Sequence, residues 1–181
     1  MRKENLRLIE PCVELEAEFM ALVQEFVAVG NYHRWGHELV IEDGNFRKYV
    51  RDRLDWKEGK SLPEGWVPAS TFWLTRGDNV IVGTSSLRHK LTEHLRNIGG
   101  HIGFNIRPSQ RQKGYGTAIL ALTLEKAGEL GLKQVLVTCD ENNIASAKVI
   151  EKNGGILEDK YSNDELEQAK RRYWIDLKGR E

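Results

Sequence analysis

Residues 102–117, IGFNIRPSQRQKGYGT, predict a β-strand that turns through glycines directly into an α-helix. The first turn of a helix has N–H groups without intrahelical partners, and the aligned peptide dipoles place partial positive charge at that end. Gly114 and Gly116 permit positive φ and a close approach of the backbone to an anion, while Arg111 and Lys113 add full positive charges. The stretch is therefore typical of a junction that binds phosphate.

Two common phosphate-binding patterns do not fit this junction. In the dinucleotide pattern G-x-G-x-x-G, the third glycine position after Gly114 and Gly116 is occupied by Ile119. The P-loop pattern G-x-x-x-x-G-K-[ST] occurs nowhere in the chain, and a nucleotide-phosphate transferase would also need a magnesium-binding carboxylate pattern, which is not found. What remains is R-x-x-G-x-G, formed by Arg111, Gly114 and Gly116.

The pattern outside the junction predicts a mixed sheet with helices on both faces, an α/β (α+β) fold. Apolar alternation and turn residues predict strands over 6–9, 71–75, 80–87, 100–107, 134–139, 156–161 and 172–177. Helical spacing predicts helices over 13–29, 46–54 and 117–130, and one that ends near 153 after cap candidates at 140–143. The second and third strands form a hairpin, whereas the strand-helix-strand unit around the glycines implies a parallel pair.

Length and composition predict one domain over residues 1–181 and exclude several classes of partner. The 27 lysines and arginines balance 27 aspartates and glutamates, so no overall basic field attracts nucleic acid or anionic lipid, although a local basic patch around Arg107, Arg111 and Lys113 stays open. No segment approaches membrane-spanning length, which favours a cytoplasmic protein. Cys12 and Cys139 are interpreted as small apolar side chains, and the histidine spacing predicts no metal.

A second motif lies downstream and makes the first more specific. Residues 142–155, NNIASAKVIEKNGG, resemble the helix N-x-x-[AS]-x-x-[LV]-x-E-K-x-G-F of the GNAT superfamily of acyl-CoA-dependent N-acyltransferases. The R-x-x-G-x-G loop is similar to the loop with which that family cradles the pyrophosphate of coenzyme A. The resemblance implies a mostly antiparallel central sheet, a splayed central pair of parallel strands, and acetyl-CoA as co-substrate.

The resemblance also implies which residues bind the coenzyme. Backbone amides near Phe104 and Ile106 would bind the thioester carbonyl and the pantetheine arm, and the side chain of Asn143 would lie near that arm while it caps a helix. The predicted cofactor-binding residues are Phe104, Ile106, Arg111, Gln112, Lys113, Gly114, Tyr115, Gly116, Thr117 and Asn143.

Two positions lack the side chains that the family often uses in catalysis. Ile150 stands where many members have a tyrosine that protonates the departing thiolate, and Gly100 stands where a glutamate is often found. Ser146, one helical turn before Ile150, is a substitute proton donor, and its N-x-x-S arrangement is shared with the branch that acetylates ribosomal-protein amino termini. His101 and His89 are candidates for the group that removes the amine proton, because an imidazole titrates near neutral pH.

The expected function is transfer of an acetyl group from acetyl-CoA to a primary amine of a small molecule or protein by direct attack. The absent side chains at 100 and 150 keep open a different function, that of a non-catalytic acyl-CoA-binding regulatory domain. Neither nucleic acid nor a membrane is an expected partner, and exposed strand edges permit a homodimer. The resemblance also implies an acceptor pocket around Tyr32, His33, Trp35, His37 and Glu38.

Overall fold

The computed structural model describes residues 5–30, 44–77, 79–164 and 166–178. The described strands are β1 (Leu6–Ile9), β2 (Ala69–Arg76), β3 (Val80–Arg88), β4 (Ile102–Ile106), β5 (Gln134–Asp140), β6 (Ile156–Tyr161) and β7 (Lys170–Asp176). The described helices are α1 (Glu16–Ala28), α2 (Phe46–Lys57), α3 (Tyr115–Glu129) and α4 (Ile144–Lys152). None of these helices is long and apolar enough to cross a lipid bilayer.

Several predicted boundaries differ from the structure by one to three residues, two of them for a clear local reason. Strand β4 begins at Ile102 rather than at Gly100, because Gly100 has φ of 64° and ψ of −176°, a backbone conformation that only glycine adopts readily and that a strand does not use. Helix α3 begins two residues early, directly after Gly114, whose φ is 86°. Helix α4 begins after Asn143, one of the predicted cap candidates, because the Oδ1 atom of this residue accepts a hydrogen bond from the N–H of Ser146.

The seven strands form one sheet in the order β1-β2-β3-β4-β5-β7-β6. Neighbouring strands are antiparallel except for β4 and β5, which are parallel and are paired only at Ile102 and Val137. Beyond this pair the two strands separate, so the predicted splayed parallel pair at the centre of a mostly antiparallel sheet is confirmed. The gap between them opens toward the end of β4 that leads into the glycine loop.

Helices cover both faces of the sheet, as the sequence predicts. On one face, called here the α2 face, α1 and α2 pack on Trp73 and Ile81, and Phe19 stacks on Trp73 with ring centroids 4.8 Å apart. On the other, called here the α3 face, Leu120 of α3 and Ala147 of α4 share a core with side chains of β2, β4 and β5. Alternation of side chains along each strand supplies both cores.

Arg107, directly after β4, does not join the local basic patch that the sequence leaves open. Its Nε donates to Glu25 Oε1 at 2.6 Å and its Nη1 to Glu18 Oε1 at 2.5 Å. These ion pairs join β4 to α1 and neutralise the guanidinium charge. The positive charge beside the loop therefore comes from Arg111 and Lys113.

Candidate active site

The amides of Phe104 and Ile106 point into the gap between β4 and β5. Across the antiparallel pair of β3 and β4, Arg107 N–H donates to Val82 O at 3.0 Å, so the odd-numbered residues of β4 bond to β3. The even-numbered amides point to the other side of the strand, where β5 pairs with β4 only at Ile102. The geometry supplies donors along an open strand edge, as the binding of a pantetheine arm requires.

The loop after β4 holds its shape through left-handed backbone positions and its own basic side chains. Gln112 and Gly114 have φ of 61° and 86°. Arg111 Nε donates to Ile106 O at 3.3 Å, which ties the loop to the end of β4, and Lys113 Nζ folds back onto a main-chain carbonyl of the loop. Successive amides in such a conformation form a concave anion site that continues into the first turn of α3.

The last three predicted loop residues take different roles in the structure. Tyr115 is buried in the core of the α3 face. Gly116 packs against α4, because a Cβ there would lie 3.1 Å from Val149 Cγ2. Thr117 N–H donates to Gly114 O at 3.1 Å and so closes the first turn of α3. The glycine at 116 thus serves the close packing of two helices as well as any approach to an anion.

The second motif lies beside the first. Asn143 caps α4 through Oδ1, 3.0 Å from Ser146 N, and the Nδ2 atom of Asn153 donates to Thr117 O at 3.3 Å across the two helices. Ile150 is fully buried in the core and therefore does not face the site. Ser146, one turn earlier, does face it.

A cavity of about 820 Å³ lies at the splay, and it extends across the α2 face. Its floor is formed by β2, β3 and β4, and its walls by α2, the connection 89–101 between β3 and β4, and the β5–α4 junction. Phe104, Asn143 and Ser146 all line it. The charged and histidine side chains in its described lining are those of Arg53, Arg88, His94, Asp140 and Lys170.

The connection 89–101 contains a single π-helical turn over Leu95–Gly99, which the sequence does not predict. Arg88 Nη1 donates to Gly99 O at 3.0 Å and to Gly100 O at 2.9 Å. Thr138 Oγ1 donates to Ile98 O at 2.9 Å. These bonds fix the connection against β3 and β5 as one wall of the cavity.

The two predicted histidines lie outside the lining of the cavity. His101 is buried, and its Nδ1 accepts a hydrogen bond from Leu136 N–H at 2.9 Å. His89 Nε2 lies 2.9 Å from the hydroxyl of Ser70. Ser70 is on the same side of β2 as Phe72, which packs on the α3 face, so this contact lies on the opposite face of the sheet from the cavity. Burial lowers the pKa of His89. The structure therefore brings Ser146 and Phe104 together but places neither His101 nor His89 with them.

Burial, followed by the charges of Arg96 and Arg88, lowers the pKa of His101 to about 4. In the unfolded chain the imidazole has its ordinary pKa near 6.5, whereas in the folded chain it is protonated only near pH 4. The free energy of unfolding therefore decreases as the pH falls from about 6.5 toward 4. We expect His101 to cost about 2 kcal/mol of unfolding free energy between pH 7 and pH 5.

Urea unfolding of the wild type and of His101→Asn at pH 7 and at pH 5 measures this contribution of His101 to the free energy of unfolding. Asparagine keeps an oxygen that can accept a hydrogen bond from Leu136 N–H, but it does not titrate. Between pH 7 and pH 5 the free energy of unfolding of His101→Asn should therefore fall by about 2 kcal/mol less than that of the wild type. All carboxylates are common to the two proteins and cancel. Equal losses in both proteins would show that His101 does not govern the acid sensitivity.

Gly100 has a structural reason to be glycine. Its φ of 64° is left-handed, and a Cβ would lie 2.6 Å from Leu136 O and 3.3 Å from Thr138 N. A glutamate, which the family often has at this position, does not fit this backbone. The chain therefore needs another route for the amine proton.

Sequence reasoning missed several residues of the cavity. His94 lies in the connection 89–101 and has no partner spacing in the sequence that would single it out. Asp140 and Lys170 form an ion pair because β5 and β7 place them directly opposite each other, which only the strand register reveals. Tyr32, His33, Trp35, His37 and Glu38, the predicted acceptor pocket, lie outside the described residues.

No group of three or more His, Cys, Asp and Glu within the described ranges is arranged to hold a metal ion. The donors that the site does present are backbone amides at the edge of β4 and in the loop 111–117. Those groups suit the carbonyl, amide and pyrophosphate oxygens of an acyl-CoA.

Comparisons with known proteins identify the family of the chain. Residues 6–156 match the family model of the acetyltransferase (GNAT) domain. No sequence among the curated proteins is significantly similar to the chain.

Several solved structures share the fold. RimL, a ribosomal L7/L12 α-N-protein acetyltransferase in complex with coenzyme A, is 17% identical over 94% of this chain and 93% of its own, with a TM-score of 0.70. The microcin C7 self-immunity acetyltransferase MccE, in complex with acetyl-CoA and AMP, is 16% identical over 97% and 94%, with a TM-score of 0.67. A chimera of the Vibrio cholerae spermidine N-acetyltransferase SpeG and hSSAT is 14% identical over 94% and 95%, with a TM-score of 0.63. The chain belongs to the GNAT family of acetyl-CoA-dependent acyltransferases.

Proposed function

We propose that the chain is an N-acetyltransferase that moves the acetyl group of acetyl-CoA to a primary amine by direct attack, the acceptor being a small molecule or a protein amino group. The observation that supports it best is the continuity of the site. The open edge of β4 leads from the glycine loop to Phe104, and the cavity at Phe104 is also lined by Ser146. Donor and acceptor can therefore meet at one place.

In this proposal the loop 111–117 holds the pyrophosphate and the Ile106 amide holds the pantetheine arm. Bound acetyl-CoA supplies a thioester carbonyl that an amine can attack. The Phe104 N–H donates to that carbonyl oxygen and stabilises the negative charge that develops on it. Asn143 keeps its Oδ1 on the N–H of Ser146, which leaves the Nδ2 atom to face the arm.

The proton of the attacking ammonium has to leave before attack, because an ammonium nitrogen has no lone pair. Among the described histidines, His94 lines the cavity, whereas His101 and His89 do not. We therefore assign proton removal to His94, directly or through water. The cytoplasmic location and the homodimer stay predictions from the sequence.

The relatives leave the acceptor open, since RimL is named for a ribosomal protein and SpeG for spermidine. Release of free thiol from acetyl-CoA, measured across a panel of amines and protein amino termini, tests the proposal. Calorimetric titration with coenzyme A accompanies it. Tight coenzyme binding without turnover on any amine would contradict catalysis and support a regulatory domain.

Ser146→Ala is expected to lower kcat by roughly 10- to 100-fold, because the departing thiolate loses its proton donor. The dissociation constant of coenzyme A should change by less than about threefold, since the N–H of residue 146 still donates to Asn143. Ser146→Thr, which keeps the hydroxyl, should retain most of the wild-type rate. Steady-state kinetics and calorimetry measure both quantities, and an unchanged kcat in Ser146→Ala would remove the serine as donor.

A further inference from the structure

We propose that the acceptor amine also carries a carboxylate, which the side-chain amide of Asn105 binds within the positively charged α2-face part of the cavity. The inference rests on the proposed function and specifies the class of its acceptor. Asn105 follows directly after Phe104, whose amide faces the thioester. A carboxylate bound at Asn105 thus places a neighbouring amine near the reacting carbon.

The side chain of Asn105 lies on the α2 face of the sheet and lines the cavity. Its strand partner is Thr84, which is paired in turn with Trp73 of the aromatic core on that face. The Nδ2 atom of Asn105 is buried and has no hydrogen-bond partner among the described residues. A buried donor without a partner costs about 1–3 kcal/mol, so its presence in a cavity wall points to an oxygen atom of the ligand.

The charges of the described lining favour an anion. Arg53, Arg88 and Lys170 are basic, and the one carboxylate in that lining, Asp140, is paired with Lys170. Arg88 donates from Nη1 to the carbonyls of Gly99 and Gly100, which holds its guanidinium in the wall of the cavity. The Arg53 guanidinium lies over the rings of two aromatic residues, 4.9 and 4.4 Å from their centroids. A carboxylate in this setting gains attraction from the lining.

A polyamine fits the same lining poorly. Its second ammonium would need a carboxylate or several carbonyl oxygens in the wall. Asp140 is already engaged by Lys170 in the described part of the cavity. The relative named for spermidine therefore shares the fold with this chain but, by this inference, not the acceptor class.

Aromatic surface in the lining of the cavity guides the choice of probe. Trp56 and Trp66 both line the cavity, with ring centroids 5.0 Å apart at an interplanar angle of 59°. Trp66 is 56% exposed. Such surface can cover an apolar or aromatic group of the acceptor. An aromatic α-amino acid thus combines both features of the inferred ligand.

The test compares amines that differ only in the carboxylate. One set is phenylalanine, phenylalaninamide and phenethylamine, a second is alanine, alaninamide and ethylamine, and spermidine is added as the polyamine. Rates of thiol release are expressed as kcat/KM per unprotonated amine, which removes differences in amine basicity. In at least one set we expect the carboxylate to exceed its amide and its decarboxylated analogue by about tenfold or more, and to exceed spermidine. Equal or higher values for the amides, or for spermidine, would overturn the inference.

Asn105→Asp keeps the shape of the side chain and replaces a donor by a negative charge. It should lower kcat/KM for the preferred carboxylate by about tenfold or more while the decarboxylated amine keeps or gains activity. The dissociation constant of coenzyme A should not change. Asn79→Asp adds the same charge at an exposed turn and should leave the ratio of the two amines as in the wild type. An unaltered ratio in Asn105→Asp would overturn the inference while N-acetyl transfer stands.

A direct binding measurement separates this inference from the proposed function. N-acetylphenylalanine and N-acetylphenethylamine are titrated into the protein with coenzyme A present, so no turnover is needed. Tighter binding of the carboxylate, lost in Asn105→Asp, supports the site even if none of the amines releases thiol, which would contradict the proposed function alone. Equal binding of the two products contradicts the carboxylate site.

Asn105→Ala serves as the folding control. Because the Nδ2 atom has no partner among the described residues, its removal should not lower the melting temperature of the protein without ligand. A fall in stability would show that the amide serves the fold instead of the acceptor.

Discussion

Replacing Gly114 with aspartate is expected to weaken coenzyme A binding by about 100-fold or more, close to 3 kcal/mol. Gly114 is the N-cap of α3 with φ of 86°, and a Cβ at this position meets nothing within 4 Å. The effect is therefore electrostatic and conformational and not a steric clash within the protein. The carboxylate would lie among the amides that hold the pyrophosphate and would repel its negative charge.

The chain provides a close control at the other end of the same helix. Gly131 has φ of 82° and a Cβ there also meets nothing within 4 Å, so Gly131→Asp imposes the same backbone strain and adds the same charge. An aspartate at the C-terminal end is also the less favourable one for the helix dipole. Gly131→Asp should bind coenzyme A as the wild type does, although it should be no more stable than Gly114→Asp.

Calorimetric titration with coenzyme A measures both variants, and circular dichroism confirms that each is folded. A Gly114→Asp protein that is folded and keeps its wild-type dissociation constant would contradict the pyrophosphate assignment of the loop. Equal weakening in the two variants would attribute the loss to destabilised folding. The 3′,5′-bisphosphate of adenosine, if used as a second ligand, tests whether repulsion extends beyond the pyrophosphate.

The sequence predicts the donor side of the site well because that side depends on local features. A strand, a left-handed glycine and a helix start within a few residues determine the loop, and Asn143 caps α4 whether or not the rest of the sheet is known. The splay of β4 from β5 was available only from the family resemblance. It depends on which residues of β4 pair with β5, and one pair, Ile102 with Val137, is all that forms.

The described part of the acceptor side could not be predicted because distant segments build it. His101 looked suitable as a base by residue type, yet the fold directs it onto Leu136 N–H and lowers its pKa to about 4 through burial. Asn105 looked like an ordinary strand residue, and only the alternation of β4 against Thr84 places it in the cavity. The residue type indicates which reaction a side chain is capable of, whereas strand register and burial determine whether the side chain lies where that reaction takes place.

Gly100→Ala is expected to lower the free energy of unfolding by about 3 kcal/mol or more. Gly100 combines φ of 64° with a Cβ position only 2.6 Å from Leu136 O. Strain from the positive φ contributes about 1–3 kcal/mol, and displacement of β5 away from the new methyl group contributes the rest. Because β4 and β5 meet at the base of the splay, this displacement should also disturb the cavity.

Gly131→Ala measures the cost of a positive φ alone, because the φ of Gly131 is 82° and the space around its Cβ position is open. Urea unfolding should therefore give a loss of about 1 kcal/mol for Gly131→Ala and a clearly larger one for Gly100→Ala. Equal losses would show that β5 accommodates a side chain at position 100. In that case Gly100→Glu would supply the carboxylate that the family often has at this position. Its activity at low pH, compared with that of the wild type, would then show whether this carboxylate accepts the amine proton. If the larger loss is found, the glycine is a requirement of the strand junction, and the amine proton must leave by way of another residue that lines the cavity.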